Sequence, residues 1–105
     1  MITRTRNNVI LYVNELGELH RERGPAVMFP SGTRFYFRRN KLHRRDGPAV
    51  IRSDGTEEYW LHGVLHRVGG PAIVRMNGNH SYYMFGVCLD HADHPKKTRS
   101  KDLDR

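Results

Sequence analysis

The segment CLDHADH near the C-terminus holds the residues best suited to metal chemistry. Cys88, His91 and His94 are spaced three residues apart, with aspartates between them. Thiolate and imidazole are ligands that zinc prefers, and a structural zinc site needs four of them. The fourth would have to be an aspartate or the distant His80. These residues are candidate metal ligands, but the segment is better explained as a polar cap that stops the sheet edge from pairing. We therefore expect no bound metal or cofactor.

Motifs for catalysis are missing from the sequence. It contains no Gly-x-Ser-x-Gly nucleophile elbow and no Gly-rich phosphate-binding loop followed by Lys and Ser or Thr. Glu57 and Glu58 are adjacent, so on a strand they point to opposite faces and do not make an acid–base pair. Cys88 and His91 are a conceivable nucleophile and base, but no other residue supports that pairing. We expect the protein not to be an enzyme.

Histidine followed by arginine recurs in a longer phrase, Leu-His-Arg-x-x-Gly-Pro-Ala. The phrase begins at Leu19, Leu42 and Leu65, an interval of 23 residues each time. Glycine turns and aromatic pairs keep the same step, which indicates stacked repeats with equivalent positions aligned in columns. The residues that we assign to the repeat framework are Gly24, Pro25, Gly47, Pro48, Gly70, Pro71, His20, His43, His66 and Trp60.

Short β-strands are the elements that must position these columns. Because proline is tolerated at the first position of a strand, PAVMF, PAVIR and PAIVR are predicted strands entered through proline. RFYF, EEYWL and SYYM are predicted to follow as strands, since they are rich in aromatic residues. Asp54-Gly55 and Asn77-Gly78 predict type I′ hairpin turns. The fold class expected is all-β, with tandem hairpin repeats forming a single elongated, twisted antiparallel sheet.

The chain is expected to be one repeat domain with a tail. The domain covers residues 1–95, with units at approximately 9–31, 32–54 and 55–77 and a partial unit at 78–94. Residues 96–105 are expected to form a basic flexible tail, because they contain no apolar anchor.

The two columns suggest different roles. We expect each histidine to be structural, packing on Tyr or Trp and bonding a turn carbonyl; metal binding, pH sensing and ligand contact are alternatives.

The arginine column is either solvated beside aromatic or acidic neighbours or part of an anion-binding ridge. The interleaved aromatics and bases of RFYFRRNKLHRR also suit nucleic acid. The residues assigned to the ridge are Arg21, Arg44, Arg67, Arg38, Arg39, Arg45, Arg52 and Arg75.

Charge and composition indicate the kind of partner and the cellular compartment. Eighteen Lys and Arg against eleven acidic residues give a formal charge of +7, which favours an acidic partner. Cys88 is the only cysteine, so no intrachain disulfide forms and a reducing compartment is expected. The N-terminus lacks a signal-peptide apolar region, and no run is long enough for a membrane helix. We expect a cytoplasmic protein with no transmembrane segment.

The stretch YWLHGVLHRVGG resembles the MORN repeat (membrane occupation and recognition nexus), which has a similar period, an aromatic pair, a glycine turn and then a histidine. It is still more similar to a variant built on G-x-L-H-R-x-x-G-P-A in proteins of bacteriophages and large viruses. The resemblance covers about three quarters of the chain. Here arginine follows the histidine where the MORN pattern has glycine, which does not favour carrying over lipid binding.

The resemblance implies a non-catalytic scaffold, because such arrays bind proteins, sometimes lipids, and often self-associate. We expect a phage or viral protein-interaction module that binds and inhibits a host protein, such as a defence component, through its basic face in the host cytoplasm. The alternatives are nucleic-acid binding by the ridge and self-assembly through open sheet edges.

Overall fold

In the computed structural model, residues 1–90 are described; His91, His94 and the predicted tail at 96–105 lie outside them. Every strand of the described part pairs antiparallel with its neighbours. The strands are β1 (Ile2–Arg4), β2 (Ile10–Tyr12), β3 (Val27–Met28), β4 (Arg34–Phe35), β5 (Phe37–Arg38), β6 (Lys41–Leu42), β7 (Val50–Ile51), β8 (Glu57–Glu58), β9 (Trp60–Leu61), β10 (Val64–Leu65), β11 (Ile73–Val74), β12 (Tyr83–Met84) and β13 (Val87–Cys88). The predicted all-β, antiparallel fold class is confirmed.

The strands form one long sheet and three hairpins, where the sequence predicted a single sheet. The seven-stranded sheet has the order β1-β2-β3-β4-β7-β8-β11, and β5-β6, β9-β10 and β12-β13 are two-stranded. The ladder divides at Tyr36, whose amide donates to the carbonyl of Ala49 at 2.7 Å, while its carbonyl accepts from the amide of His43 at 3.0 Å. The two residues that flank segment 44–48 are thus both bonded to Tyr36, and the segment between them leaves the sheet as a loop.

Three such loops recur, one in each unit. Residues 21–25 leave the sheet opposite Tyr12 and residues 67–71 leave it opposite Tyr59, with the same pair of backbone bonds in each case. We call residues 21–25, 44–48 and 67–71 the first, second and third Gly-Pro loops. The strands after them begin two residues beyond proline, at Val27, Val50 and Ile73, later than the sequence predicted.

Small buried side chains make up the core. Ala26, Ala49 and Ala72 are completely buried, and Val50 is 1% exposed. The register that sets Val27 opposite Phe35 also sets Ala26 opposite Tyr36. Since residues directly opposite share a face, alanine and tyrosine alternate across the sheet.

The turns are of two kinds, and one prediction about them is wrong. Gly55 has a φ of 94° and its amide donates to the carbonyl of Arg52 at 2.9 Å, while Asp54 has no positive φ. This is a type I turn followed by a left-handed glycine, not type I′. Gly78 repeats the arrangement. The turns with two successive positive φ values lie elsewhere, at Arg39-Asn40, His62-Gly63 and Phe85-Gly86.

The N-terminal hairpin lies outside the repeat pattern, and the sequence did not predict its first strand. β1 pairs with β2, setting Ile2 opposite Tyr12, and adds an exposed edge strand to the first unit. The described residues extend 50 × 25 × 19 Å, so their units follow one another along an elongated body.

Candidate binding grooves between the Gly-Pro loops

The arginine column packs on the tyrosines of the sheet. The guanidinium carbons of Arg21, Arg44 and Arg67 lie 3.8, 4.0 and 3.9 Å from the ring centroids of Tyr12, Tyr36 and Tyr59. A guanidinium over an aromatic face is attracted by the ring quadrupole, more strongly where water is excluded. Each unit therefore contains an internal cation–π pair.

The other side of each guanidinium meets its own Gly-Pro loop. Arg44 donates from Nη1 to the carbonyl of Pro48 at 3.0 Å, and a Cβ on Gly47 would lie 3.0 Å from the guanidinium carbon. Arg21 and Arg67 make the same bond to Pro25 and Pro71 at 3.1 Å. A side chain at these glycines would press on the guanidinium, which would have to shift by a few tenths of an ångström. The column thus belongs to the framework, and its three side chains are half-buried.

Each column histidine bonds the type I′ turn of the next unit. Nδ1 of His43 accepts from the amide of His62 at 2.9 Å, and Nδ1 of His66 accepts from the amide of Phe85 at 2.9 Å. Nδ1 of His20 accepts from the amide of Arg39 at 3.2 Å. The bond goes to a turn amide, where the sequence predicted a turn carbonyl. An imidazole nitrogen that accepts a hydrogen bond carries no proton itself.

The rings pack on the turn as well, where the sequence predicted packing on Tyr or Trp. The His43 and His62 ring centroids are 4.4 Å apart, and those of His66 and Phe85 are 4.1 Å apart. His43 is 8% exposed, and this burial lowers its pKa below the ordinary value of 6.5; the neighbouring charges of His62, Arg38 and Arg45 act in the same direction.

A groove of about 450 Å³ lies between the first and second Gly-Pro loops. Its walls carry five arginines and two carboxylates, so positive charge dominates. The residues that line this first groove are Arg21, Glu22, Arg23, Gly24, Tyr36, Phe37, Arg38, His43, Arg44, Arg45 and Asp46.

A second groove, of about 420 Å³, lies between the second and third loops. It shares the wall formed by the second loop, and the opposite wall includes apolar side chains. The residues that line it are Arg44, Arg45, Asp46, Gly47, Tyr59, Leu61, His66, Arg67 and Val68.

Most basic side chains around the grooves already have partners. Arg38 bonds Glu22 at 2.9 Å, and Glu22 also contacts His20 at 2.7 Å. Within residues 1–90, the guanidiniums of Arg23 and Arg45 make no hydrogen bond or ion pair. The hydrogen bond from His20, followed by the charge of Arg38, lowers the pKa of the Glu22 carboxyl.

The arginines that the sequence assigned to one ridge do not all line the same groove in the structure. The first groove brings together Arg21, Arg38, Arg44 and Arg45, and the second adds Arg67. Three members line neither groove: Arg39, Arg52 and Arg75. Arg23, which was not assigned to the ridge, lines the first groove. The sequence gives one clue to this position: Arg23 lies in a Gly-Pro loop, outside the repeated columns.

Arg52 and Trp60 belong to a separate polar network on the sheet. Trp60 donates from Nε1 to Glu58 at 2.9 Å, and the other carboxylate oxygen of Glu58 accepts from Arg52 at 3.0 and 3.1 Å. Arg75 similarly bonds the carbonyl of Asn79 and the hydroxyl of Ser81. Arg52 and Arg75 thus each bond residues of the following unit.

The predicted metal cluster falls mostly outside the described residues. Cys88 is a half-buried free thiol on β13, and its hydrogen bond with Tyr83 raises the pKa of the phenol. Residues 1–90 contain no group of three His, Cys, Asp or Glu side chains placed to hold a metal ion. His91 and His94 are not among them. The same part of the chain has no helix that could cross a bilayer.

Comparisons with protein-family models, with curated proteins and with solved structures give no match to this chain.

Proposed function

We propose that this chain is a non-catalytic binding module that holds an acidic surface of a partner protein in the groove between its first two Gly-Pro loops. The observation that carries the proposal is the pair of guanidiniums, those of Arg23 and Arg45, that line this groove without a hydrogen bond or ion pair in the described residues. Arginine suits such a task because its planar donor fork binds a carboxylate in a bidentate manner.

A protein partner is favoured over nucleic acid by the state of the aromatic rings. Stacking of unpaired bases needs open aromatic faces. Arg44 already covers a face of Tyr36 in the first groove. Phe35 and Phe37 meet edge to face, with ring centroids 6.3 Å apart. The charge remains available to any anion, but this arrangement offers little aromatic surface for bases.

The likeness to repeat proteins of phages and large viruses supports a host protein as the partner. Occupying an acidic site on that protein would inhibit it by blocking the ligand or nucleic acid that normally binds there. No step of this function requires a reaction at the groove.

The test compares two double variants with equal charge changes. Arg23→Glu with Arg45→Glu reverses charge in the first groove, and Arg4→Glu with Arg6→Glu does the same at the exposed N-terminal hairpin. Each tagged protein is incubated with lysate of the host cells, with and without nuclease treatment, and the retained proteins are quantified by mass spectrometry. A stoichiometric partner should be retained by the wild type and by the hairpin variant, and lost with the groove variant.

Two outcomes would contradict the proposal. Equal retention by both double variants would remove the groove from the interaction. Retention that disappears from the wild type after nuclease treatment would identify nucleic acid as the ligand.

A further inference from the structure

We propose that the two grooves are neighbouring subsites for one extended peptide segment of the partner, with a carboxylate side chain in the first groove and an apolar side chain three residues away in the second. This inference rests on the proposed function and specifies the ligand of the same surface.

The first subsite can bind a carboxylate because its own acidic residues already have partners. Glu22 contacts His20 and Arg38, and Asp46 contacts Nε of Arg44 at 3.3 Å. The guanidinium groups of Arg23 and Arg45 donate no hydrogen bond to any of residues 1–90. A ligand carboxylate would supply the acceptors that these two guanidiniums lack.

The second subsite is more apolar than the first because the third loop carries no charged pair. The first two loops carry Glu22-Arg23 and Arg45-Asp46, and the third carries Val68-Gly69 at the equivalent positions. Val68 is 75% exposed and lines the second groove with Leu61. An apolar ligand side chain would cover these surfaces and remove them from water.

The spacing of the units sets the spacing of the ligand residues. Successive units are offset by two strands in the sheet order, as β4 is from β8. Two steps of about 4.8 Å make roughly 10 Å. A peptide in the extended polyproline II conformation advances about 3.1 Å per residue and has three residues per turn, so side chains three residues apart point the same way. Side chains three residues apart therefore reach adjacent grooves, while those two apart fall short.

Fluorescein-labelled peptides test this prediction directly. The probes contain a Glu-Glu pair and one Leu in a Ser-Gly background, with the Leu placed two, three, four or five residues from the nearer Glu, in both chain directions. Binding is measured by fluorescence polarisation at low and physiological salt. In one direction, the three-residue spacing should bind at least tenfold tighter than the two-residue spacing.

Protein variants assign each side chain to its groove. Arg45→Glu should weaken the best peptide at least tenfold, and Val68→Ser should weaken it about fivefold through lost apolar burial. Arg4→Glu and Leu16→Ser are the matched controls, since both residues are exposed and line neither groove. The controls should bind like the wild type. Replacing the peptide Leu with Ser should abolish the effect of Val68→Ser.

The outcomes separate this inference from the proposed function. If all acidic peptides bind equally whatever the spacing, the paired subsites are wrong while charge-based binding to a protein stands. If no peptide binds while the lysate partner is still lost with the groove variant, the ligand is a folded acidic surface and the extended segment is wrong. Tighter binding of a single-stranded oligonucleotide of equal charge would overturn both.

Discussion

At the scale of single residues, the same amino acid has two roles in one loop. Arg44 lies between a tyrosine ring and a glycine and donates to the Pro48 carbonyl, whereas the adjacent Arg45 is exposed and lines both grooves. The Arg44 side chain makes a framework contact, and the Arg45 guanidinium makes no hydrogen bond or ion pair within residues 1–90. Replacing each in turn separates folding from binding.

Arg44→Gln is expected to lower the free energy of unfolding by about 2–3 kcal/mol. It removes a charge-assisted hydrogen bond and a partly buried cation–π contact, each of which contributes on the order of 1–2 kcal/mol. Arg45→Gln, the matched control, should change stability by less than about 0.5 kcal/mol. Urea denaturation followed by circular dichroism measures both. Equal stability of the two variants would mean that the column contact does not hold the loop.

At the scale of elements, the type I′ turns are where one unit is joined to the next. The turn at Arg39-Asn40 offers two amides, of which the first bonds His20 and the second bonds the carbonyl of Leu19 at 2.8 Å. The turns at His62-Gly63 and Phe85-Gly86 are held in the same way. Each turn is therefore fixed by the preceding unit and not only by its own strands.

Arg39→Asn should stabilise the protein by about 0.5–1 kcal/mol. Arg39 has a φ of 50°, and left-handed backbone costs a residue with a long side chain roughly 1–2 kcal/mol, which asparagine largely avoids. The amide that bonds His20 is kept. Thermal unfolding should show a higher midpoint for Arg39→Asn and no gain for Arg6→Asn, which loses the same charge where φ is not positive. A fall in the midpoint would show that the Arg39 side chain stabilises the turn.

The period in the sequence predicted the strands and loops but not what joins them. Gly-Pro and the aromatic pairs repeat, so the elements could be placed from spacing alone. The bond from His43 to the amide of His62 joins residues 19 apart, and it is visible only once neighbouring units lie side by side. Asp54-Gly55 was predicted as type I′ from its dipeptide, but the bond between Arg52 and Thr56 makes the loop one residue longer. β1 was not predicted because its residues lie outside the period.

At the scale of the whole molecule, the stack is held by contacts between neighbouring units. Stability in such arrays is close to a sum of unit terms and interface terms, so a weakened interface affects the units on both sides. The repetition stops at the last described unit, where Leu89 and Asp90 stand in place of His and Arg. Leucine has no acceptor for a further turn amide, and Asp90 accepts from the amide of Tyr82 at 2.8 Å. Because Leu89 and Asp90 replace His and Arg, the contacts that join the earlier units are not repeated at these positions.

Acid should loosen these interfaces, and His43 allows one of them to be examined alone. Because burial lowers its pKa in the folded state, the unfolded chain binds the proton more readily. The stability contributed by neutral His43 is complete above pH 6.5 and is lost as the pH falls from there through the folded value. Protonation removes the acceptor for the His62 amide and adds charge beside Arg38, Arg45 and His62 itself.

His43→Asn should reduce the dependence of stability on pH. The Oδ1 of asparagine can accept the turn amide at any pH, so the variant keeps an acceptor that does not titrate. The fall in Tm between pH 8 and pH 5 should be smaller in the variant, even if its Tm at pH 8 is lower because the ring contact is lost. The remaining histidines and the chain's formal charge of +7 act in both proteins, so the difference between the two profiles isolates position 43. Parallel profiles would mean that protonation of His43 does not open the interface between the second and third units.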